Sequence, residues 1–170
     1  MGLSTIKHDR EFILQLAREF FDSDMKEKLG SFKKFDVYGW EIWLQVEFYL
    51  FLKQHNLVKS VDREIRCSLD GRKNPTKRFA VLDFMIHEKR KQSSIPLEIK
   101  QHMSAKSCLT SMLKDVKKFG QIKYSGINTS RNLWCLGVHL GPQLENSQEY
   151  CEYEITSEQI GNTEYYFTLI

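Results

Sequence analysis

Apolar residues recur along this chain with two periods, and the switches between them mark out its elements. Phe12, Ile13, Leu16 and Phe20 stand three and four apart and predict a helix over residues 9–25. Residues 26–36 are polar, carry Gly30, and read as a connection. Trp40, Trp43, Leu44, Leu50 and Phe51 predict a second helix over 39–55, with Glu47 inside the apolar stripe. The period then becomes two: Val61, Ile65 and Cys67 alternate with Asp62, Glu64 and Arg66, a strand over 61–69. Asp70-Gly71 and Asn74-Pro75 mark a turn. Residues 78–87 are β-rich and nearly all apolar, as a buried central strand is. A charged loop, 88–94, leads to another strand over 95–101. Ser104 is a helix cap, and the helix it starts ends near Gly120. Apolar residues 132–140 form a further strand, closed by Gly141-Pro142, and 165–170 form a last one.

The order is α-α-β-β-β-α-β-β: three successive strands, then a crossover helix and more strands. That predicts an α/β (α+β) fold with a mixed sheet flanked by helices, rather than a doubly wound one. At 170 residues, with no repeat and no Pro/Gly-rich linker, residues 1–170 are expected to form one domain.

Four residues carry candidate chemistry. Asp83 lies inside an apolar strand, where a carboxylate is costly unless paired or bound to a cation. Glu98 and Lys100 are two apart on the next strand, so both point to one face. In a hairpin Asp83 and Glu98 come side by side, and a divalent cation relieves their repulsion. Lys100 would then position a water or offset charge on a phosphate. Glu47, on the helical stripe, could be aimed at the same cluster. Each has a plainer reading: Glu98 and Lys100 as a surface ion pair, Asp83 as a partner of Arg78, Glu47 as a partner of Arg63. The five histidines show no zinc spacing.

Leu82-Asp83, fourteen intervening residues, then Glu98-Ile99-Lys100, with Glu47 on a helix upstream, resemble the PD-(D/E)xK nuclease superfamily. Leu82 replaces the motif's Pro. The resemblance covers about residues 39–140. It implies a restriction-endonuclease-like αβββαβ core, with the first helix and the acidic C-terminal tail as additions. It implies Mg2+-dependent (or Mn2+-dependent) hydrolysis of phosphodiesters, of DNA rather than RNA. Asp83 and Glu98 would be metal ligands, Lys100 catalytic, and Glu47 a ligand or helper.

Composition adds partners to this picture. Between residues 72 and 118 stand 12 Lys or Arg against 4 Asp or Glu, whereas residues 143–170 hold 6 Glu and no Lys or Arg. A basic face suits a polyanion. His102, two residues past Lys100, together with Arg72, Lys73, Lys77, Arg78, Lys106, Lys114, Lys117, Lys118 and Lys123, could line a phosphate track. The family's chemistry also admits a homodimer, because two sites are one way to cut both strands. The rival reading is a non-catalytic binding protein on this fold, such as an immunity or inhibitor protein of a bacterial or phage conflict system. The acidic tail with Tyr150, Tyr153, Tyr165 and Tyr166 would grip its protein partner. The cysteines Cys67, Cys108, Cys135 and Cys151 form no Cys-x-x-Cys pair. With no leader-like or membrane-spanning apolar run, they read as reduced thiols in a cytoplasmic protein.

Overall fold

The computed structural model describes residues 3–71, 78–122, 131–144 and 153–170. Helix α1 (Leu3–Phe20) buries Phe12, Ile13, Leu16 and Phe20. It runs into a π-helical turn, Phe21–Met25, where Ser23 leaves helical geometry with ψ −159°. Its hydroxyl donates to the Phe20 carbonyl (2.6 Å), which stabilises the kink. The segment expected to be a connection is instead helix α2 (Lys26–Lys34). Gly30 lowers its propensity without breaking it, and Leu29 is fully buried and anchors it. Helix α3 spans Glu41–Gln54 and α4 spans Ala105–Phe119, the latter capped by Ser104, whose side chain accepts from the Ser107 amide.

The strands are β1 (Val58–Ser68), β2 (Phe79–Glu88), β3 (Ile95–His102), β4 (Trp134–Leu140), β5 (Thr156–Gln159) and β6 (Tyr165–Leu169). They form one mixed sheet in the order β1-β2-β3-β4-β6-β5. β1, β2 and β3 are an antiparallel meander, and α4 crosses over to place β4 parallel to β3. β6 runs antiparallel to β4, and β5 closes the far edge. Two apolar layers sandwich the sheet. Ile95, Leu97 and Ile99 of β3 face α1 and α3, together with Leu16, Phe20 and Phe48. On the opposite side Cys135 packs with Cys108, Leu109 and Met112 of α4. α4 comes so close to β4 that a Cβ at Gly137 would lie 2.5 Å from Cys108 Sγ, so only glycine fits there.

One irregularity shapes everything that follows. β1 and β2 change face together: Val61, Phe84 and Ile86 belong to the first layer, but Cys67, Ala80 and Leu82 to the second. The switch falls at Glu64, with φ 55°, and Asp83 opposite it. Beyond this point β2 leaves β3; their pairing covers only Phe84–Ile86 against Ile95–Leu97.

The C-terminal region is built into the fold. Tyr165 is 1% exposed and lies in the first apolar layer, and Tyr166 stacks on His139 at 6.1 Å. Glu154 pairs with Arg10 (3.2 Å), Glu158 with Arg18 (2.6 Å) and Glu164 with Lys33 (3.3 Å). The described part of the acidic tail is thus neutralised by α1 and α2, and Tyr150 lies outside the described residues. Among the described residues no helix is long and apolar enough to cross a membrane.

Candidate functional site

Where β2 departs, β3 is left with amides that no strand can satisfy, and carboxylates take the strand's place. In a strand alternate amides share an edge. The Ile99 amide donates to Asp83 Oδ2 (2.8 Å), and the Gln101 amide, next along that edge, donates to Glu41 Oε2 (2.9 Å). Asp83 comes from β2 and Glu41 from the first turn of α3, so the gap between strands is stitched by two acids. An unpaired buried amide costs about 1–3 kcal/mol, which gives both carboxylates a structural reason to stand there.

Lys100 lies at the centre of the cluster. Its ammonium is 3.0 Å from Asp115 of α4, 3.5 Å from Glu98 and 3.8 Å from Glu41. Burial opposes the Lys100 charge, but Glu98, Asp115, Asp83 and Glu41 outweigh it and hold the ammonium above the usual lysine range. Glu98 is 4% exposed. Burial, then the charge of Asp83 and a hydrogen bond to it, push the Glu98 carboxyl up to about 9. At neutral pH it carries a proton against Asp83. That proton, the Lys100 ammonium and the Lys118 ammonium beside Asp115 together offset four acids.

The structure brings Asp83, Glu98 and Lys100 together, and it places Glu47 elsewhere. Glu47 pairs with Lys28 (3.4 Å), which also lies over the Trp43 ring. The α3 residues that are buried are Leu44, Gln45, Phe48 and Leu52, a face turned well away from Glu47. α3 is apolar on nearly every side, so periodicity could not say which side faces the sheet. The α3 carboxylate that reaches the site is Glu41, missed because it opens the helix and reads as a first-turn acid favoured by the dipole. Asp115 was missed among Lys114, Lys117 and Lys118, although a single acid in a basic helix was a usable signal.

The expected phosphate track is only partly described. His102 is bonded to Ser111 (2.9 Å), on the face of β3 that meets α4. Lys118 pairs with Asp115 (3.5 Å). Lys106, Lys114 and Lys117 are exposed along α4, and Arg78 is exposed at the start of β2. Arg72, Lys73, Lys77 and Lys123 lie outside the described residues.

Among the described residues no three or more His, Cys, Asp or Glu side chains are grouped so as to hold a metal ion. The donor chemistry of Asp83 and Glu98 nevertheless fits a hard divalent cation. They are adjacent carboxyls whose negative charge is relieved at rest by a proton, the role a cation would take over. No family model, curated protein or solved structure matches this chain.

Proposed function

We propose that this protein is a divalent-cation-dependent nuclease of the PD-(D/E)xK type, with a restriction-endonuclease-like core over about residues 39–140. The observation that carries the reading is the meeting of Asp83, Glu98 and Lys100 at the point where β2 and β3 part. The run α3-β1-β2-β3-α4-β4, with β4 parallel to β3, supports the αβββαβ plan.

Asp83 and Glu98 would hold Mg2+ or Mn2+, which supplies Lewis-acid stabilisation of the phosphodiester and a more acidic water. The chain's own residues do the remaining work. The Ile99 amide fixes Asp83, so its free oxygen is held in place without side-chain entropy to lose. Glu98 would lose its proton to solvent and serve as an anionic ligand. The Lys100 ammonium offsets charge growing on the phosphate oxygens. Asp115 and Glu41 orient that ammonium from two sides. DNA is the substrate the resemblance favours, and the basic face of α4 suits its backbone. The rival reading, a binding protein using its acidic tail, is weakened among the described residues, where Glu154, Glu158 and Glu164 are paired within the chain.

The test is cleavage of supercoiled plasmid, single-stranded DNA and RNA with Mg2+, Mn2+ or EDTA. Cation-dependent cleavage of DNA that is lost in EDTA and in Lys100→Ala is expected. Undiminished cleavage in EDTA, or by Lys100→Ala, overturns the mechanism.

A further inference from the structure

Among the described residues, most of the large exposed apolar side chains lie close together in sequence. Phe35 is 68% exposed, Tyr38 60%, Ile42 71%, Val46 36% and Leu50 49%. The last three are four residues apart on α3, so they stack along one side of that helix. A surface helix ordinarily shows charge on its outer side; here Lys53 is the only charged residue in line with the stripe. Contiguous exposed apolar surface of this kind marks an interaction site.

We propose that this face pairs with the same face of a second copy, with α3 antiparallel to α3 about a two-fold axis at Val46. Two features favour a copy of the chain over another occupant. The stripe is self-complementary under that operation: Ile42 meets the partner copy's Leu50, and Val46 meets its equivalent. Its ends also carry complementary charges. Lys53 stacks on Tyr49 (6.0 Å) and has no carboxylate partner among the described residues. Asp36, at the other end, has Tyr38 Oη as its side-chain partner (3.1 Å) and no cationic one among the described residues. The antiparallel operation brings Lys53 of one copy to the Asp36–Tyr38 turn of the other, where a carboxylate and an exposed ring both suit an ammonium. The inference stands on the surface alone and does not rest on the nuclease reading.

The experiment is sedimentation velocity of the full chain from low to high micromolar concentration, in EDTA and without nucleic acid. A species of twice the 20.1 kDa chain mass should form and dominate at the upper end. Ile42→Glu and Leu50→Glu, both at exposed positions, should keep a native circular dichroism spectrum and weaken the dimer by on the order of 100-fold. Lys53→Asp should weaken it by about tenfold through two opposed acids, and adding Asp36→Asn, which tolerates that residue's left-handed backbone (φ 51°), should recover most of the loss. A chain that stays monomeric throughout overturns the proposal. So does association that grows past a dimer, is indifferent to Ile42→Glu and Leu50→Glu, or is not recovered by the second substitution.

Discussion

Two buried polar groups share the α4-facing side of this sheet, and they are built on opposite principles. At the far end, His139 of β4 is bonded through Nδ1 to the Leu140 carbonyl (2.9 Å) and through Nε2 to the Thr168 hydroxyl (2.8 Å). The Thr168 and Ser157 hydroxyls are bonded to each other (2.9 Å), and the Leu144 amide donates to Ser157 (3.3 Å). Burial pulls the His139 imidazole below its usual range, so the chain is neutral and its polar atoms are satisfied. At the parting of β2 and β3, by contrast, four acids surround one lysine, and Glu98 keeps a proton to limit the conflict. A satisfied neutral network holds strands together. A cluster with surplus negative charge costs stability, and the amide bonds to Asp83 and Glu41 offset part of that cost.

Removing the lysine should have the largest effect of all. Lys100→Met leaves the acids with no buried cation and should lower apo stability by about 3–5 kcal/mol in urea denaturation, with cleavage abolished. The same substitution should leave the stability increment of an added divalent cation intact or larger. An unchanged urea midpoint would mean that Lys100 does not neutralise the cluster.

The next largest effect is on pH dependence. The folded chain holds the Glu98 proton up to about 9, whereas the unfolded chain releases it near the ordinary 4.5. Between these values the folded state binds more protons, so apo stability should fall as pH rises, by at most about 1.4 kcal/mol per pH unit. Glu98→Gln should flatten that slope, raise apo stability at mildly alkaline pH, and abolish cleavage. Denaturation in EDTA at mildly acidic, neutral and mildly alkaline pH checks the sign; a wild-type curve that rises across the window contradicts the assignment.

The neutral network should behave otherwise. Thr168→Val removes the hydroxyl between His139 and Ser157, and should cost about 1–3 kcal/mol with cleavage and cation affinity unchanged. Smallest of all, Glu47→Gln loses an ion pair with Lys28 at a partly exposed position. It should change stability by about 0–1 kcal/mol and leave cleavage at wild-type rate. A tenfold loss of activity without unfolding would return Glu47 to the site.

The parts legible in the sequence are those where residue type conflicts with its setting. Asp83 within an apolar strand and the Glu98-x-Lys100 alternation stand out because a charge there needs a partner. β2, β3, β4 and α4 could be bounded closely because apolar runs and Ser104 mark them. What escaped the sequence did so for physical reasons. α3 is apolar all round, so its buried side is chosen by packing, and the choice decides between Glu41 and Glu47. α2 carries glycine and little apolar surface, and exists because Leu29 docks. β5, Thr-Ser-Glu-Gln, has no apolar alternation and owes its form to pairing with β6. The parting of β2 from β3 coincides with a left-handed Glu64 on β1 that no pattern announces.

Calorimetric titration of the apo protein with Mg2+ or Mn2+ near neutral pH, in buffers of differing ionisation enthalpy, tests whether Asp83 and Glu98 receive a cation. Binding accompanied by release of about one proton to the buffer is expected, as the cation displaces it from Glu98. Asp83→Ala should abolish the binding, and Glu98→Gln should weaken it and remove the proton release. No binding heat, or binding with no proton released and no response to either substitution, would contradict the account.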